Sequence, residues 1–198
     1  MSRFIESIKL QDGELFNLEY HQRRVDRTFE KFFPQSKIPD LQFSLNEIQK
    51  PFAGLFKCRI VYDQTINSIE FIPYQMKPIY SLKIVRAEEI NYEFKFENRT
   101  ELIELYNSKQ EADDILIVKN GWVTDSSYAN LIFKSGDKWI TPASYLLNGT
   151  MRQQLIESGE IQCEPISLVD IGKFAKVKLI NSMVGMNGPE IEMTNVIF

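Results

Sequence analysis

The sequence has few of the residues that hydrolytic and metal-dependent sites usually require. It contains one histidine, His21, and two cysteines, Cys58 and Cys163, which lie far apart. Nothing pairs His21 with a serine or cysteine nucleophile, no residues show metal-ligand spacing, and no glycine-rich phosphate loop is present. These absences argue against triad and metal-dependent hydrolysis. They favour a structural role for His21 and reduced, buried thiols for the two cysteines.

Long apolar runs and a surplus of basic charge are also missing. No stretch approaches the roughly 20 apolar residues of a membrane span, and Glu6 stands where a signal peptide needs an apolar run. The formal net charge is −4, with acidic and basic residues interleaved. Nucleic acid is not expected as a partner, because phosphate backbones require a concentrated basic surface. We therefore expect a folded, cytoplasmic protein that acts on a small molecule and binds neither nucleic acid nor membranes.

The hydrophobic pattern predicts two α+β domains, residues 1–80 and 81–198. The first domain is expected to contain two hairpins, at 4–18 and 59–72, because an Asp-Gly pair and short polar turns separate alternating apolar runs. Its helices are expected at 25–33, where Pro34 ends the pattern, and at 45–56, despite Pro51. The second domain is predicted to be richer in strands. They are expected at 82–85, 115–118, 122–123, 131–133, 139–140, 176–181 and 190–193, with helices at 102–106 and 150–158.

Two polar segments of the second domain are candidates for chemistry. The first is the run from Thr124 to Asn130, which places polar side chains between two apolar strands, where the chain should pass through a core. The second is the segment from Leu147 to Arg152, where Gly149 would let backbone N–H groups approach an anion at a helix N-terminus.

These segments and their spacing resemble the motifs of class IV aminotransferases. Residues 125–133 read Asp-x-Ser-x-x-Asn-Leu-Ile-Phe, residues 141–142 read Thr-Pro, and residues 147–152 read Leu-x-Gly-x-x-Arg. The family has Glu-x-Ser/Thr-x-x-Asn, then Thr-Pro, then Leu-x-Gly-Ile-x-Arg. The opening residues 4–8, the Asp-Gly turn and His21-x-x-Arg24 also resemble the family's N-terminal part. Lys95 precedes Asp125 by 30 positions, which is the interval to the family's catalytic lysine.

The resemblance implies a two-domain class IV fold, with a small N-terminal α/β domain and a larger, barrel-like C-terminal domain. It implies pyridoxal 5′-phosphate as the cofactor and a homodimer as the assembly. Lys95 would carry the cofactor as a Schiff base and shuttle the substrate proton. Asp125 would pair with the pyridine nitrogen. Arg24, Gly149 and Thr150 would hold the phosphate.

Two further segments resemble the aminodeoxychorismate lyases of this family. Residues 181–185, Asn-Ser-Met-Val-Gly, resemble Asn-Ser-Leu-x-Gly, and residues 95–99, Lys-Phe-Glu-Asn-Arg, resemble Lys-x-x-Asn-Arg. Ser182 would then add a phosphate hydrogen bond, and Arg59 is a candidate for the substrate carboxylate. The implied reaction converts 4-amino-4-deoxychorismate to 4-aminobenzoate and pyruvate. The alternatives are a class IV transaminase acting on branched-chain or D-amino acids, and a binding protein that has lost the cofactor.

The chain departs from the family pattern in three places. Asp125 is one methylene shorter than the usual glutamate, Thr150 replaces an aliphatic residue, and the first domain is short. Without the resemblance, each residue also has an ordinary interpretation: a solvated surface lysine for Lys95, a turn residue for Asp125 and a solvated helix face for Arg24.

Overall fold

The computed structural model describes residues 2–198, and their contacts divide the chain into two compact units. The first unit runs to Gln75 and also includes Phe94–Asn98, whereas the second comprises Met76–Glu93 and Arg99–Phe198. The division along the chain thus lies a few residues before the predicted boundary at residue 81. Lys95, which lies in the predicted second domain, packs with the first unit.

A four-stranded antiparallel sheet forms the first unit, in the order β2-β1-β3-β4. Its strands are β1 (Phe4–Gln11), β2 (Glu14–Leu15), β3 (Leu55–Tyr62) and β4 (Ile66–Pro73). Asp12 and Gly13 connect β1 to β2 with positive φ angles of 49° and 85°. A two-residue turn of this kind matches the twist of the paired strands, which confirms the first predicted hairpin. The second predicted hairpin corresponds to β3 and β4.

Two helices accompany this sheet, α1 (Leu18–Phe32) and α2 (Leu41–Asn46). Val25 and Phe29 of α1 pack with Phe4 and Ile8 of β1 in one apolar cluster. This contact explains the helical spacing of the apolar residues in α1. The helix begins at Leu18, so the strand that we expected to continue to this residue ends at Leu15.

The predicted helix over residues 45–56 is wrong. The helix lies earlier, because Asp40 caps α2 by accepting a hydrogen bond from the Phe43 backbone N–H at 2.9 Å. Pro51 cannot donate a helical hydrogen bond, and the chain from Glu47 to Gly54 is irregular before β3 begins.

Two sheets form the second unit. One has the order β13-β5-β6-β7 and the other has the order β10-β9-β8-β11-β12. The strands are β5 (Leu82–Arg86), β6 (Asp114–Lys119), β7 (Trp122–Val123), β8 (Asn130–Ser135), β9 (Lys138–Pro142), β10 (Gln162–Glu164), β11 (Lys176–Ile180), β12 (Glu190–Glu192) and β13 (Val196–Ile197). Leu116 and Val118 of the first sheet share one core with Leu131, Phe133 and Leu179 of the second.

The helices of the second unit are α3 (Thr100–Asn107) and α4 (Thr150–Glu157). All predicted elements of this half are present, but β10 and β13 were not predicted. Both are short, and they pair in parallel with β9 and β5. Among the described residues, no helix combines the length and the apolar character needed to cross a membrane.

Candidate functional site

In the first unit, a buried carboxylate on β1 holds two side chains of α1. Glu6 is fully buried, and it lies between Phe4 and Ile8 on the face of β1 that packs in the core. Arg24 donates from Nε to Glu6 Oε1 at 2.8 Å and from one terminal nitrogen to Oε2 at 2.5 Å. His21 Nδ1 lies 2.5 Å from Glu6 Oε2. Because His21 and Arg24 are three positions apart on the helix, both side chains reach the same carboxylate.

The contacts among Glu6, His21 and Arg24 determine which of these side chains are charged. Burial alone would raise the pKa of Glu6, but the Arg24 charge and the hydrogen bonds from Arg24 and His21 outweigh it and lower this pKa to about 2. Burial lowers the pKa of His21; Glu6 opposes this shift, whereas the charges of Arg24 and Lys95 reinforce it. At neutral pH, Glu6 is therefore ionised, and His21 is held in its neutral form.

Lys95 lies on a short segment that pairs with the beginning of β1, where neither β2 nor another strand of residues 2–198 occupies the side opposite β3. The backbone N–H of Ile5 donates to the Lys95 carbonyl at 3.0 Å, and the N–H of Glu97 donates to the Arg3 carbonyl at 2.8 Å. Phe96 forms a bridge with Phe4. These contacts place Lys95 beside Ile5, the neighbour of Glu6 in β1. The charge of Lys95 is close enough to affect the pKa of His21.

Arg59, the candidate for the substrate carboxylate, is held by protein carboxylates. It donates to Glu97 Oε1 at 2.8 Å and lies 3.7 Å from Glu70 Oε2. Arg3 pairs with the other oxygen of Glu97 at 2.8 Å. Glu97 thus ties the Lys95 segment to the sheet, and a substrate carboxylate at Arg59 would compete with it.

In the second unit, the polar run after β6 and β7 contains a buried carboxylate, Asp125. Its Oδ2 accepts hydrogen bonds from the backbone N–H groups of Leu146 and Leu147 at 3.0 and 2.8 Å. Its Oδ1 accepts from Asn130 Nδ2 at 2.8 Å. Burial raises the pKa of Asp125 to about 6, although these hydrogen bonds and the Arg152 charge lower it. Asp125 is therefore ionised at neutral pH and titrates near pH 6.

Asn130 connects Asp125 to the helix N-terminus at Gly149. Its Nδ2 also donates to the Leu147 carbonyl at 2.9 Å. A Cβ atom at position 149 would lie 2.0 Å from Asn130 Oδ1, which no real contact allows. Gly149 precedes the buried Thr150 and has no side chain with which to cap α4. Glycine is thus required here because the Asn130 amide occupies the space beside it.

Arg152 holds the remaining motif residues together. Its guanidinium donates to Thr141 Oγ1 at 3.2 Å, to the Pro142 carbonyl at 2.8 Å and to Asn148 Oδ1 at 3.0 Å. Thr141 in turn donates to the Leu131 carbonyl at 3.0 Å. The sequence motifs at 125–133, 141–142 and 147–152 thus form one hydrogen-bonded network within the second unit.

Ser182 lies in the turn that follows β11. The side chain of Asn181 supports this turn by accepting from the Met183 backbone N–H at 2.9 Å. Ile180 and Met186, which flank the turn, pack with Met151 of α4. The turn therefore lies against the first turn of α4, in the same unit as Gly149 and Thr150.

The structure thus brings the predicted site residues together in two groups. Arg24, Arg59 and Lys95 belong to the first unit, and Asp125, Gly149, Thr150 and Ser182 belong to the second. The sequence interpretation missed Glu6, whose signal is a charged residue within an alternating apolar strand. It also gave no role to Asn130. Within residues 2–198, no group of three or more His, Cys, Asp or Glu residues could hold a metal ion.

Comparison with known proteins supports the predicted fold. Residues 3–188 match the profile of the family described as amino-transferase class IV. A solved structure from Haemophilus somnus 129PT, provisionally named a 4-amino-4-deoxychorismate lyase, is 34% identical with a TM-score of 0.86, covering 94% of this chain and 98% of that one. These matches confirm the predicted class IV aminotransferase-like fold.

Two further relatives agree with this assignment. A Schizosaccharomyces pombe protein provisionally named an aminodeoxychorismate lyase is 29% identical over 169 residues, covering 77% of this chain and 72% of its own length. A hypothetical aminotransferase from Mycobacterium tuberculosis, solved in its PLP-bound form, has a TM-score of 0.72 at 15% identity, covering 96% of this chain and 80% of that one. At that identity the second likeness shows the fold alone.

Proposed function

Because the chain belongs to the class IV aminotransferase family, we propose that it is a pyridoxal-phosphate-dependent 4-amino-4-deoxychorismate lyase. The reaction would form 4-aminobenzoate and pyruvate. One observation carries the proposal: two relatives that cover most of the chain, one of them 34% identical, bear that name. The lyase-like segments around Asn98 and Ser182 agree with it.

The chemistry of the side chains fits pyridoxal phosphate. Lys95 supplies the primary amine that an aldehyde requires, and Arg24 supplies a guanidinium suited to a phosphate. Asp125 is a buried carboxylate that matches a protonated pyridine nitrogen. It accepts three hydrogen bonds from the protein, and a carboxylate has about four acceptor positions, so it retains capacity for one more. The N-terminus of α4 at Gly149 adds backbone N–H groups.

In this proposal, the tasks are divided among the residues as follows. Pyridoxal phosphate supplies the electron sink for the carbanion formed beside the substrate nitrogen. Lys95 would hold the cofactor covalently, and its amine, once released by the substrate, would accept the substrate proton. Asp125 keeps the positive charge on the pyridine nitrogen. Arg24 and the backbone at Gly149 and Thr150 bind the phosphate.

Departure of the enolpyruvyl group would form the aromatic product, which Lys95 would release by retaking its place on the cofactor. The carbon–oxygen bond to this group breaks, the ring becomes aromatic, and the departing enol takes up a proton to become pyruvate. Substrate and products have the same atoms, so neither water nor an oxidant is consumed. Ser182 is proposed to donate to the phosphate and Arg59 to bind a substrate carboxylate. The ion pairs of Arg59 with Glu97 and Glu70 would compete with a substrate carboxylate there.

The experiment is an assay for pyruvate and 4-aminobenzoate with purified holoenzyme and aminodeoxychorismate. Equal amounts of both products are expected, with no consumption of a keto acid. A transaminase acting on branched-chain or D-amino acids would instead lose the cofactor's absorbance band with those amino acids and regain it with a keto acid. That result, without pyruvate release, would refute the lyase. A protein that binds no cofactor would refute both reactions. A homodimer and a cytoplasmic location stay predictions.

A further inference from the structure

Glu6, His21 and Arg24 form one hydrogen-bonded group, and the proposed reaction gives a role only to Arg24. Glu6 and His21 are both fully buried, and burying an ionised carboxylate is strongly unfavourable unless it is well paired. An apolar residue at position 6 would continue the alternating face of β1 between Phe4 and Ile8. The protein instead keeps a charge there, and its partners are Arg24 and His21.

The geometry of the Glu6–Arg24 contact restricts the guanidinium to one orientation. Nε and one terminal nitrogen each donate to a different carboxylate oxygen, and this two-point contact fixes the plane of the group. The guanidinium has five N–H donors in a rigid arrangement. Fixing its plane through two of them therefore sets the direction of the other three.

The contact with Glu6 also determines the state of His21. An ionised carboxylate only accepts hydrogen bonds, so the His21 nitrogen that faces it, Nδ1, must carry a proton. Arg24 on α1 and Lys95 on the neighbouring segment place two positive charges near the ring, which disfavours a second proton. Tyr62 on β3, whose pKa is also affected by Glu6 and Arg24, is neutral because burial raises its pKa.

We propose that Glu6 and His21 are positioning residues, which hold the Arg24 guanidinium in one orientation for the cofactor's phosphate, with His21 kept neutral as its Nδ1–H tautomer. This inference rests on the proposed function, because it takes the phosphate of pyridoxal phosphate as the ligand of Arg24. A neutral His21 also keeps a third positive charge away from Lys95, whose amine must lose its proton to react.

The first test uses the unaltered protein, since His21 is its only histidine. Nitrogen-15 NMR of the labelled histidine ring should show a protonated Nδ1 and an unprotonated Nε2, unchanged from about pH 5 to about pH 8. In urea, the histidine ring of the same protein should titrate at about pH 6.5. A folded-state ring that titrates in this range, is doubly protonated at neutral pH or carries its proton on Nε2 would overturn the proposal.

The second test asks whether Glu6 acts through position and not through charge alone. Glu6→Asp keeps the charge but withdraws the carboxylate by one methylene, so it cannot reach Arg24 and His21 together. Affinities for pyridoxal phosphate and for pyridoxal, which lacks the phosphate, are measured with the apo protein. We expect a loss of about tenfold for pyridoxal phosphate and of less than about twofold for pyridoxal. Glu30→Asp, on the exposed side of α1, is the matched control and should change neither affinity.

An unchanged ratio of the two affinities in a folded Glu6→Asp protein would contradict the inference. In an Arg24→Ala background, Glu6→Asp should leave the ratio unaltered, because no guanidinium remains to be positioned. If Glu6→Asp fails to fold, the nitrogen-15 spectrum of His21 in the unaltered protein still tests the inference. If the parent binds neither compound, the proposed function fails, whereas the Glu6–His21 contact is still tested by that spectrum.

Discussion

Replacement of Gly149 by alanine tests the hydrogen-bonded network of the second unit by adding a single carbon atom. The backbone at this position has φ −66° and ψ 145°, which any residue adopts without strain. The expected cost therefore comes entirely from the added methyl group, which would lie 2.0 Å from Asn130 Oδ1. Asn130 must rotate, and its Nδ2 then loses the hydrogen bonds to Asp125 and to the Leu147 carbonyl.

The magnitude follows from these two hydrogen bonds. A bond to a neutral carbonyl is worth about 1 kcal/mol and one to a charged carboxylate about 1.5–3 kcal/mol. Alanine recovers about 0.4–1 kcal/mol by restricting the unfolded chain. We expect Gly149→Ala to lower the free energy of unfolding by about 1.5–3.5 kcal/mol, measured by denaturant titration. Because the Asn130 hydrogen bond lowers the pKa of Asp125, that pKa should also rise above about 6.

Two controls separate this mechanism from a general effect of alanine. Gly172 has no atom within 4 Å of a Cβ position, so Gly172→Ala should change the stability by less than about 1 kcal/mol. In an Asn130→Ala background, Gly149→Ala should cost less than about 1 kcal/mol, because the clashing amide is gone. The full loss of about 1.5–3.5 kcal/mol in that background would refute the steric explanation.

Four further predictions concern the charged residues. Lys95→Ala should abolish the visible absorbance of the bound cofactor and nearly all turnover, as a spectrum and a rate assay would show; full activity would exclude the lysine. Arg24→Ala should raise the dissociation constant of pyridoxal phosphate more than it lowers turnover at saturation, and an unchanged constant would contradict its role. Turnover should fall as the pH drops through about 6, where Asp125 becomes protonated. Asp125→Asn should be slow at every pH, whereas Asp125→Glu should keep partial activity. An Asn variant as fast as the unaltered protein would show that Asp125 is only a turn residue. Because the pKa of Glu6 is lowered from 4.5 to about 2, its contribution to stability is present above pH 4.5 and lost as the pH falls through about 2. Acid titrations of the Glu6→Gln variant should lack this loss of stability. The same loss in the variant would show that Glu6 does not cause it.

Local signals in the sequence were sufficient for most of the second unit and for the hairpins. The turns at Asp12-Gly13 and Asn120-Gly121 and the helix at Thr150 depend on nearby residues, and all three are present. The helix predicted at 45–56 is wrong because the prediction placed the apolar spacing above Pro51 and took no account of Asp40, which caps α2. The short strands β10 and β13 were missed because their partners are distant in the sequence and the strands carry little pattern of their own.

The candidate site was predictable in its parts but not in its connections. The motifs located Asp125, Asn130 and Gly149, yet the contact of the Asn130 amide with position 149 depends on how two loops pack. Glu6 was overlooked although its sequence context contained the signal. A carboxylate within the apolar face of a strand requires hydrogen-bonding partners, and His21 and Arg24, three positions apart on the next helix, supply them.

The identity of the residue that carries the cofactor tests the central claim most directly. The holoenzyme is reduced with borohydride, which converts a Schiff base into a stable secondary amine, and is then digested and mapped by mass spectrometry. The account predicts one modified peptide, with the pyridoxyl phosphate group on Lys95. The same group on another lysine, or no modified peptide from a cofactor-saturated protein, would contradict it.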